Sequence, residues 1–394
     1  MKADIAEIAD RDADVRTPLR VALFSGNYNY VMDGPVRALN KLVAHLEARG
    51  HKALVFAPTS RKSALDYAGE LVSVPSLALP GSRSEYRLGL GLRSAARRRL
   101  EAFKPTIIHV AAPDWLGFSA LNYARKHAIP VVASFHTRFD TYPRYYGMAW
   151  LERHITAYMR YFYHRCERVY APSQSMVDEL ARDAIGRDVR LWARGVDKSV
   201  FNPGRRDLAW RRAAGVGDDD VLVAFVGRIV LEKGIDIFAE AVKRARMENP
   251  KIRALIVGEG PERGHFENKL KGGVFTGFLE GEALARAYAC ADIFFNPSVT
   301  ETFGNVTLEA MASGLPAICA AASGSCSLVD DGETGLLIAD AADVDGFAGA
   351  IGVLARDGAA RAAMAERARR KSDGFDWDAI LDRLIADYRD VASR

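Results

Sequence analysis

No apolar run of 18 residues occurs in this chain, which argues against a membrane-spanning helix. No Cys-x-x-Cys pair occurs either. The four cysteines, Cys166, Cys290, Cys319 and Cys326, read as reduced core or near-surface thiols of a cytosolic chain. The opening stretch MKADIAEIADRDADVRTP lacks the apolar centre of a secretory signal and reads as a polar tail over residues 1–18. What remains is an ordinary globular composition, 49% hydrophobic and 26% charged, with 394 residues to fill two separate cores.

The net charge of +4 hides an asymmetry. Residues 1–195 hold 29 Lys and Arg against 19 Asp and Glu, whereas residues 196–394 hold 25 against 31. The two halves therefore face different partners, and a basic half suits anionic lipid, nucleic acid or a phosphorylated acceptor.

Short β-branched runs alternate with amphipathic stretches along both halves. In the first, LRVALFSG (19–26), HKALVFAP (51–58), TIIHVAAP (106–113) and IPVVASFH (129–136) read as strands, with a helical period in GPVRALNKLVAHLEARG (34–50). In the second, VLVAFVGR (221–228), IRALIVGEG (252–260), GVFTGF (273–278), ADIFFNPS (291–298) and LPAICAA (315–321) do the same. Strand–helix repetition with short loops predicts a doubly wound parallel sheet in each half, facing across a cleft. The expected limits are 19–195 for the first domain and 196–372 for the second, with a linker near 192–207. Residues 373–394 are expected as a C-terminal helix packing back toward the first domain.

Several stretches carry candidate chemistry. FVGRIVLEKG (225–234) delivers Arg228 to a strand end and Lys233 to a helix start, where guanidinium, ammonium and helix dipole all favour a diphosphate. The plainer reading is two solvated cations. ALIVGEGPERG (254–264) imitates a dinucleotide fingerprint, but Pro261 intrudes and the third glycine is one place late. LGLGLRS (88–94) has no preceding strand, so a nicotinamide cofactor has little support. Asp33-Gly34-Pro35 precedes a helix whose first N–H groups a ligand could approach, although a helix start needs no ligand. His136 ends a strand and is followed by an aromatic loop, Phe139, Tyr142, Tyr145 and Tyr146, which suits a sugar or lipid lip. Alone, a histidine in the place of His136 is more often a hydrogen-bonded structural residue than a catalytic one.

SVTETFGNVTLEAMASGLP (298–316) sets Glu301 on a loop and Glu309 inside the following helix, with Thr302 or Asn305 as candidate caps. Dipole compensation explains Glu301 but hardly Glu309. A glycosidase acid–nucleophile pair is a second alternative, yet hydrolysis of a glycoside needs no phosphate anchor.

Taken together and in order, GRIVLEKG, VGEGP, FTGF and SVTETFGNVTLEAMASGLPAICAAASGSCSLVDDGETGLL resemble the donor-binding half of glycosyltransferase family 4. IIHVAAPDWLGFSALNYARKHAIPVVASFHTRFDTYPRYYG resembles the acceptor half of its bacterial lipid-head-group branch, which includes diacylglycerol mannosyl-, glucuronosyl- and sulfoquinovosyltransferases. The resemblance implies a GT-B fold of two Rossmann-like α/β domains and a UDP- or GDP-sugar donor. It implies that Glu309 holds the ribose and Glu301 the transferred sugar, the latter beside backbone N–H groups of Phe303, Gly304 and Asn305. Arg228 and Lys233 match the diphosphate clamp, His136 a histidine near the sugar C6 hydroxyl, and Gly34 a backbone phosphate contact. Backbone around Gly277 and Phe278 is placed to read the base. Many relatives carry a Gly-Gly pair where this chain has only Gly34 before Pro35. Retention of anomeric configuration is implied, with a donor phosphate oxygen taking the acceptor proton and no protein nucleophile. No Asp-x-Asp stands in a suitable place for a metal, so metal-independent action without a cofactor is expected.

SRSEYRLGLGLRSAARRRLEAF (82–103) interleaves arginines, among them Arg97, Arg98 and Arg99, with Leu88, Leu90, Leu92 and Leu100. Such a segment can lie on an anionic bilayer, with leucines at the acyl boundary, or form a solvated helix with a buried leucine side. The resemblance favours a lipid acceptor, Tyr142 and Tyr145 near it, and peripheral attachment to the inner face of the cell membrane. A soluble or polyprenyl-linked glycan acceptor and a non-catalytic nucleotide-sugar binder are the alternatives. Nucleic-acid binding finds no recognised module.

Overall fold

The computed structural model describes residues 17–31, 33–60, 66–78, 86–136, 138 and 149–394. The chain divides into two compact units. One runs to Trp192 and takes back Asp378–Arg394; the other is Ala193–Trp377.

The first unit carries β1 (Arg20–Phe24), β2 (Lys52–Ala57), β3 (Glu70–Ser73), β4 (Ser76–Ala78), β5 (Arg87–Gly89), β6 (Ile107–Val110), β7 (Val131–Ser134), β8 (Arg168–Ala171) and β9 (Val189–Leu191). Seven of these form one sheet in the order β3-β2-β1-β6-β7-β8-β9, every pair parallel, while β4 and β5 make a separate antiparallel ribbon. The Gly-x-Gly of LGLGLRS belongs to the end of that ribbon. Residues of β1, β2, β6 and β7 are buried on both sheet faces, as a helix-covered parallel sheet requires.

The helix Trp377–Ala392 supplies Leu381, Leu384, Ile385, Tyr388 and Val391 to buried positions. Its polar anchors lie within the first unit. Asp382 meets Arg49 and His45, each at 2.7 Å. Asp390 meets the fully buried Arg168 of β8 at 2.8 Å, and Asp188 holds the same guanidinium from the other side.

The second unit carries β10 (Val221–Val226), β11 (Ile252–Val257), β12 (Val274–Gly277), β13 (Ile293–Asn296), β14 (Ala317–Ala320) and β15 (Gly335–Ile338). Their order is β12-β11-β10-β13-β14-β15, again all parallel. The strands alternate strictly between two cores. Val221, Val223 and Phe225 of β10 enter one cluster, and Leu222 and Ala224 the other. Phe225, Phe238, Phe266 and Phe295 pack ring to ring in the first of these clusters, with Phe238 and Phe295 stacked at 5.0 Å.

Both sheets reverse their strand order next to the first strand, between β1 and β6 and between β10 and β13. Open α/β sheets bind ligands outside the carboxyl ends of the strands at such a point.

Candidate active site

In the second unit, the loops leaving β10 and β13 run side by side. The β10 loop passes Arg228, which is exposed, and makes a short 3-10 turn, Leu231–Lys233. The β13 loop carries Glu301. Lys233 Nζ and Glu301 Oε1 lie 2.5 Å apart, although 68 residues separate them in sequence. Both side chains are largely covered, at 26% and 16% exposure. Gly234 permits the approach: its φ is +71°, and a Cβ there would sit 3.0 Å from Pro297 Cγ at the start of the β13 loop.

The VGEGP glycines have a packing reason. A Cβ on Gly258 would fall 1.9 Å from the Gly227 carbonyl oxygen. The two backbones are stitched together, Gly227 N to Val257 O at 3.0 Å and Ile229 N to Glu259 O at 2.9 Å. That stitching fixes the loop bearing Arg228, so the Gly-x-Gly serves close backbone contact here.

The helix Asn305–Ala312 starts differently from expectation. Its cap is Gly304, with φ +95° and no side-chain cap hydrogen bond, so neither Thr302 nor Asn305 caps it; Asn305 is the first helical residue. The leading N–H groups of such a helix have no intrahelical acceptor, and its positive end favours anionic or hydroxyl oxygens. Phe303 is buried beside this start. The loop is propped from behind, where Gly324 N donates to the Glu301 carbonyl at 3.0 Å.

Glu309 is half-buried on that helix, and its Oε2 lies 3.1 Å from the hydroxyl of Tyr288, a fully buried residue. The same hydroxyl is 3.1 Å from the Val306 carbonyl. Nothing in the sequence marks Tyr288, because one Tyr in an amphipathic helix looks like any core aromatic. Beyond β12, the Gly277 carbonyl accepts from Gly258 N at 2.8 Å, and the Phe278 ring is 60% exposed.

In the first unit, His136 follows β7, and its Nε2 lies 2.8 Å from Ser134 Oγ. Gly34 opens the helix Gly34–Ala48, which Asp33 caps by accepting from Val36 N at 2.9 Å. Tyr142 and Tyr145 lie outside the described residues. Arg97, Arg98 and Arg99 are exposed on the helix Ser94–Phe103. Arg97 pairs with Glu101 at 3.2 Å and Arg99 with Glu70 at 2.5 Å. Two of the leucines expected at an acyl boundary are elsewhere: Leu100 is in the core and Leu92 packs against it, while Leu88 and Leu90 are half-buried. On the helix itself, a bilayer contact would rest on arginine charge, since Leu100 faces the core.

Asp114, also unnoticed in the sequence, stands at the β1/β6 reversal. Its Oδ2 would be 3.3 Å from a Cβ on Gly26, and its Oδ1 accepts from Gly117 N at 2.7 Å. Burial lifts its carboxyl to about 6, against the pull of its backbone hydrogen bonds. A carboxyl pKa raised in the fold contributes stability below the unfolded value, and that contribution is lost as pH rises through the folded one. Asp114→Asn, which keeps the cap acceptor, should therefore be more stable than the parent at neutral pH by up to about 3 kcal/mol. The gap should close below roughly pH 4, the ordinary range of an aspartate. Urea melts across pH check this, and a gap that does not change with pH contradicts it.

Among the described residues, no group of three or more His, Cys, Asp or Glu is placed to hold a metal, and no helix is long and apolar enough to cross a membrane.

Each unit is a parallel Rossmann-like sheet, as in the GT-B fold, and the second presents the Lys233–Glu301 pair and Glu309 beside its reversal point. The chain belongs to glycosyltransferase family 4: the profile described as Glycosyltransferase Family 4 matches residues 32–200, and that described as Glycosyl transferases group 1 matches 220–357. A GDP-mannose-dependent alpha-mannosyltransferase of Corynebacterium glutamicum is 34% identical over 96% of this chain and 90% of its own. An alpha-monoglucosyldiacylglycerol synthase of Acholeplasma laidlawii is 24% identical over 81% of this chain and 84% of its own. In fold, the chain matches sucrose-phosphate synthase of Thermosynechococcus elongatus with a TM-score of 0.78, at 20% identity over 95% of this chain and 99% of that one. The protein is a hexosyltransferase that uses a nucleotide-sugar donor.

Proposed function

We propose that the enzyme transfers a hexose, with retention, from a nucleoside diphosphate sugar to a lipid hydroxyl at an anionic membrane surface. The Lys233–Glu301 contact carries this reading. An ammonium has three donors, so Lys233 can hold Glu301 and still donate to phosphate oxygens. The pair thus suits the junction of sugar and diphosphate, with Glu301 accepting from sugar hydroxyls and Lys233 and Arg228 facing the departing diphosphate. Negative charge grows on that diphosphate as the C1–O bond breaks, and fixed cations there lower the barrier. The acceptor oxygen bonds C1 on the same face while its proton passes to a donor phosphate oxygen, so the reaction balances without a protein nucleophile. Glu309, steadied by Tyr288, takes the ribose hydroxyls; backbone near Gly277 and the exposed Phe278 meets the base. His136 addresses the sugar, and Gly34 offers backbone N–H to phosphate. Metal and cofactor have no assigned role.

GDP-mannose is the first donor to test, since the Corynebacterium relative is named for it and spans nearly the whole chain. The Acholeplasma relative, named for a diacylglycerol product, supports a lipid acceptor. Trp115, Trp150 and Tyr161 of the first unit are each exposed, and such amphipathic rings suit a bilayer interface. The test is a panel of GDP- and UDP-sugars incubated with extracted lipids, read by product mass. A hexose added to a lipid supports the proposal, whereas transfer only to soluble or polyprenyl-linked glycans overturns the lipid acceptor. Peripheral attachment is checked by sedimentation with anionic vesicles. Replacing Arg97, Arg98 and Arg99 with Ser should weaken it; unchanged sedimentation removes that patch from the account.

A further inference from the structure

A buried hydrogen-bond chain leads away from His136. Its Nε2 meets Ser134 Oγ at 2.8 Å, Ser134 Oγ meets His109 Nε2 at 2.8 Å, and His109 Nδ1 meets the hydroxyl of Tyr388. Ser134, His109 and Tyr388 are all fully buried. Trp192, 1% exposed, sets its ring edge-on to both histidines, at 5.8 Å from His109 and 6.0 Å from His136, which holds the two imidazole planes. Tyr388 rides on the helix Trp377–Ala392, whose position the Arg168–Asp390 and Arg49–Asp382 pairs secure.

The chain has a direction. Among the described residues, the Tyr388 hydroxyl has one hydrogen-bond partner, His109 Nδ1. Were Nδ1 to carry a proton, the tyrosine proton would be buried without an acceptor, which is costly. Tyr388 therefore donates to Nδ1, His109 holds its proton on Nε2 and donates to Ser134, and the serine proton points at His136 Nε2. His136 is left with its proton on Nδ1.

We propose that Ser134, His109 and Tyr388 are positioning residues that lock His136 in the Nδ1–H tautomer, making Nδ1 a hydrogen-bond donor toward the transferred sugar. The tautomer follows from the hydrogen-bond chain alone; its use on the sugar rests on the function proposed above. Nothing in the sequence marks the residues behind His136, since a serine two residues earlier and a histidine in the neighbouring strand look like ordinary core polar residues.

Nitrogen-15 long-range correlation spectra of the full chain at neutral pH test the tautomer directly. His136 should read as Nδ1–H and His109 as Nε2–H. Tyr388→Phe removes the group that sets the direction, and His136 should become a mixture; Ser134→Ala should move it toward Nε2–H. In both variants kcat should fall by roughly tenfold while the donor KM stays within about threefold, because the hydrogen bond matters most in the transition state. Finding His136 as Nε2–H in the parent, or unchanged in both variants, overturns the inference whatever the activity. The expected tautomers in a protein that transfers no sugar would sustain the relay and overturn the functional reading. Shifted tautomers with unchanged kcat would overturn the catalytic use.

Discussion

Glu301→Ala should lower kcat/KM by about a thousandfold, while the affinity for the bare nucleoside diphosphate changes by less than about threefold. Glu301 is the less exposed member of its pair with Lys233, so it is held rather than waving in solvent. Its loop is fixed on both sides, by the Gly324–Glu301 backbone bond and by the buried Phe303. A carboxylate so held accepts from sugar hydroxyls whose positions matter most as the glycosidic bond opens. The bare nucleotide has no sugar at that place and loses nothing. Glu301→Gln keeps an acceptor without charge and should fall between Ala and the parent. Steady-state kinetics with a matched binding titration check this, and a proportional loss in both contradicts it.

Lys233→Ala should differ in kind. It removes a cation facing the diphosphate and leaves Glu301 without its partner, so nucleotide affinity and transfer should both drop, with kcat/KM lower by about a hundredfold or more. Lys233→Arg should restore only part, because a planar fork does not reproduce a compact ammonium. With the groups 2.5 Å apart, the double variant should lose much less than the two single losses combined. Simple additivity would show that the contact has no part in the reaction.

The sequence displayed the deep strands β1, β2, β6, β7, β10, β11, β13 and β14 as apolar runs closed by turn residues, and also β12 at a sheet edge, where GVFTGF is bounded by glycines. It did not display β3, β9 and β15, whose side chains are largely half-exposed at a sheet edge and form no such run. β8 was hidden by its arginine, which the Asp188, Asp387 and Asp390 partners make tolerable inside a core. At the site, Glu301, Glu309, Arg228 and Lys233 stood out because their spacing is a motif. Their mutual geometry did not, because the Lys233–Glu301 approach depends on Gly234 sitting against Pro297. Tyr288, Ser134 and His109 were invisible for a related reason: their function lies in whom they touch. The arginine-rich helix misled in one respect, since leucine periodicity alone cannot say whether the apolar side meets lipid or its own core.

The most direct measurement is a calorimetric titration of GDP and UDP into the parent, Glu301→Ala and Glu309→Ala. The parent should bind one of the two nucleotides more tightly. Glu309→Ala should weaken that binding by roughly tenfold or more, as expected for a lost charge-assisted hydrogen bond, and Glu301→Ala should leave it nearly unchanged. Equal losses in the two variants, or no loss in Glu309→Ala, would contradict a site in which one glutamate holds the ribose and the other the sugar.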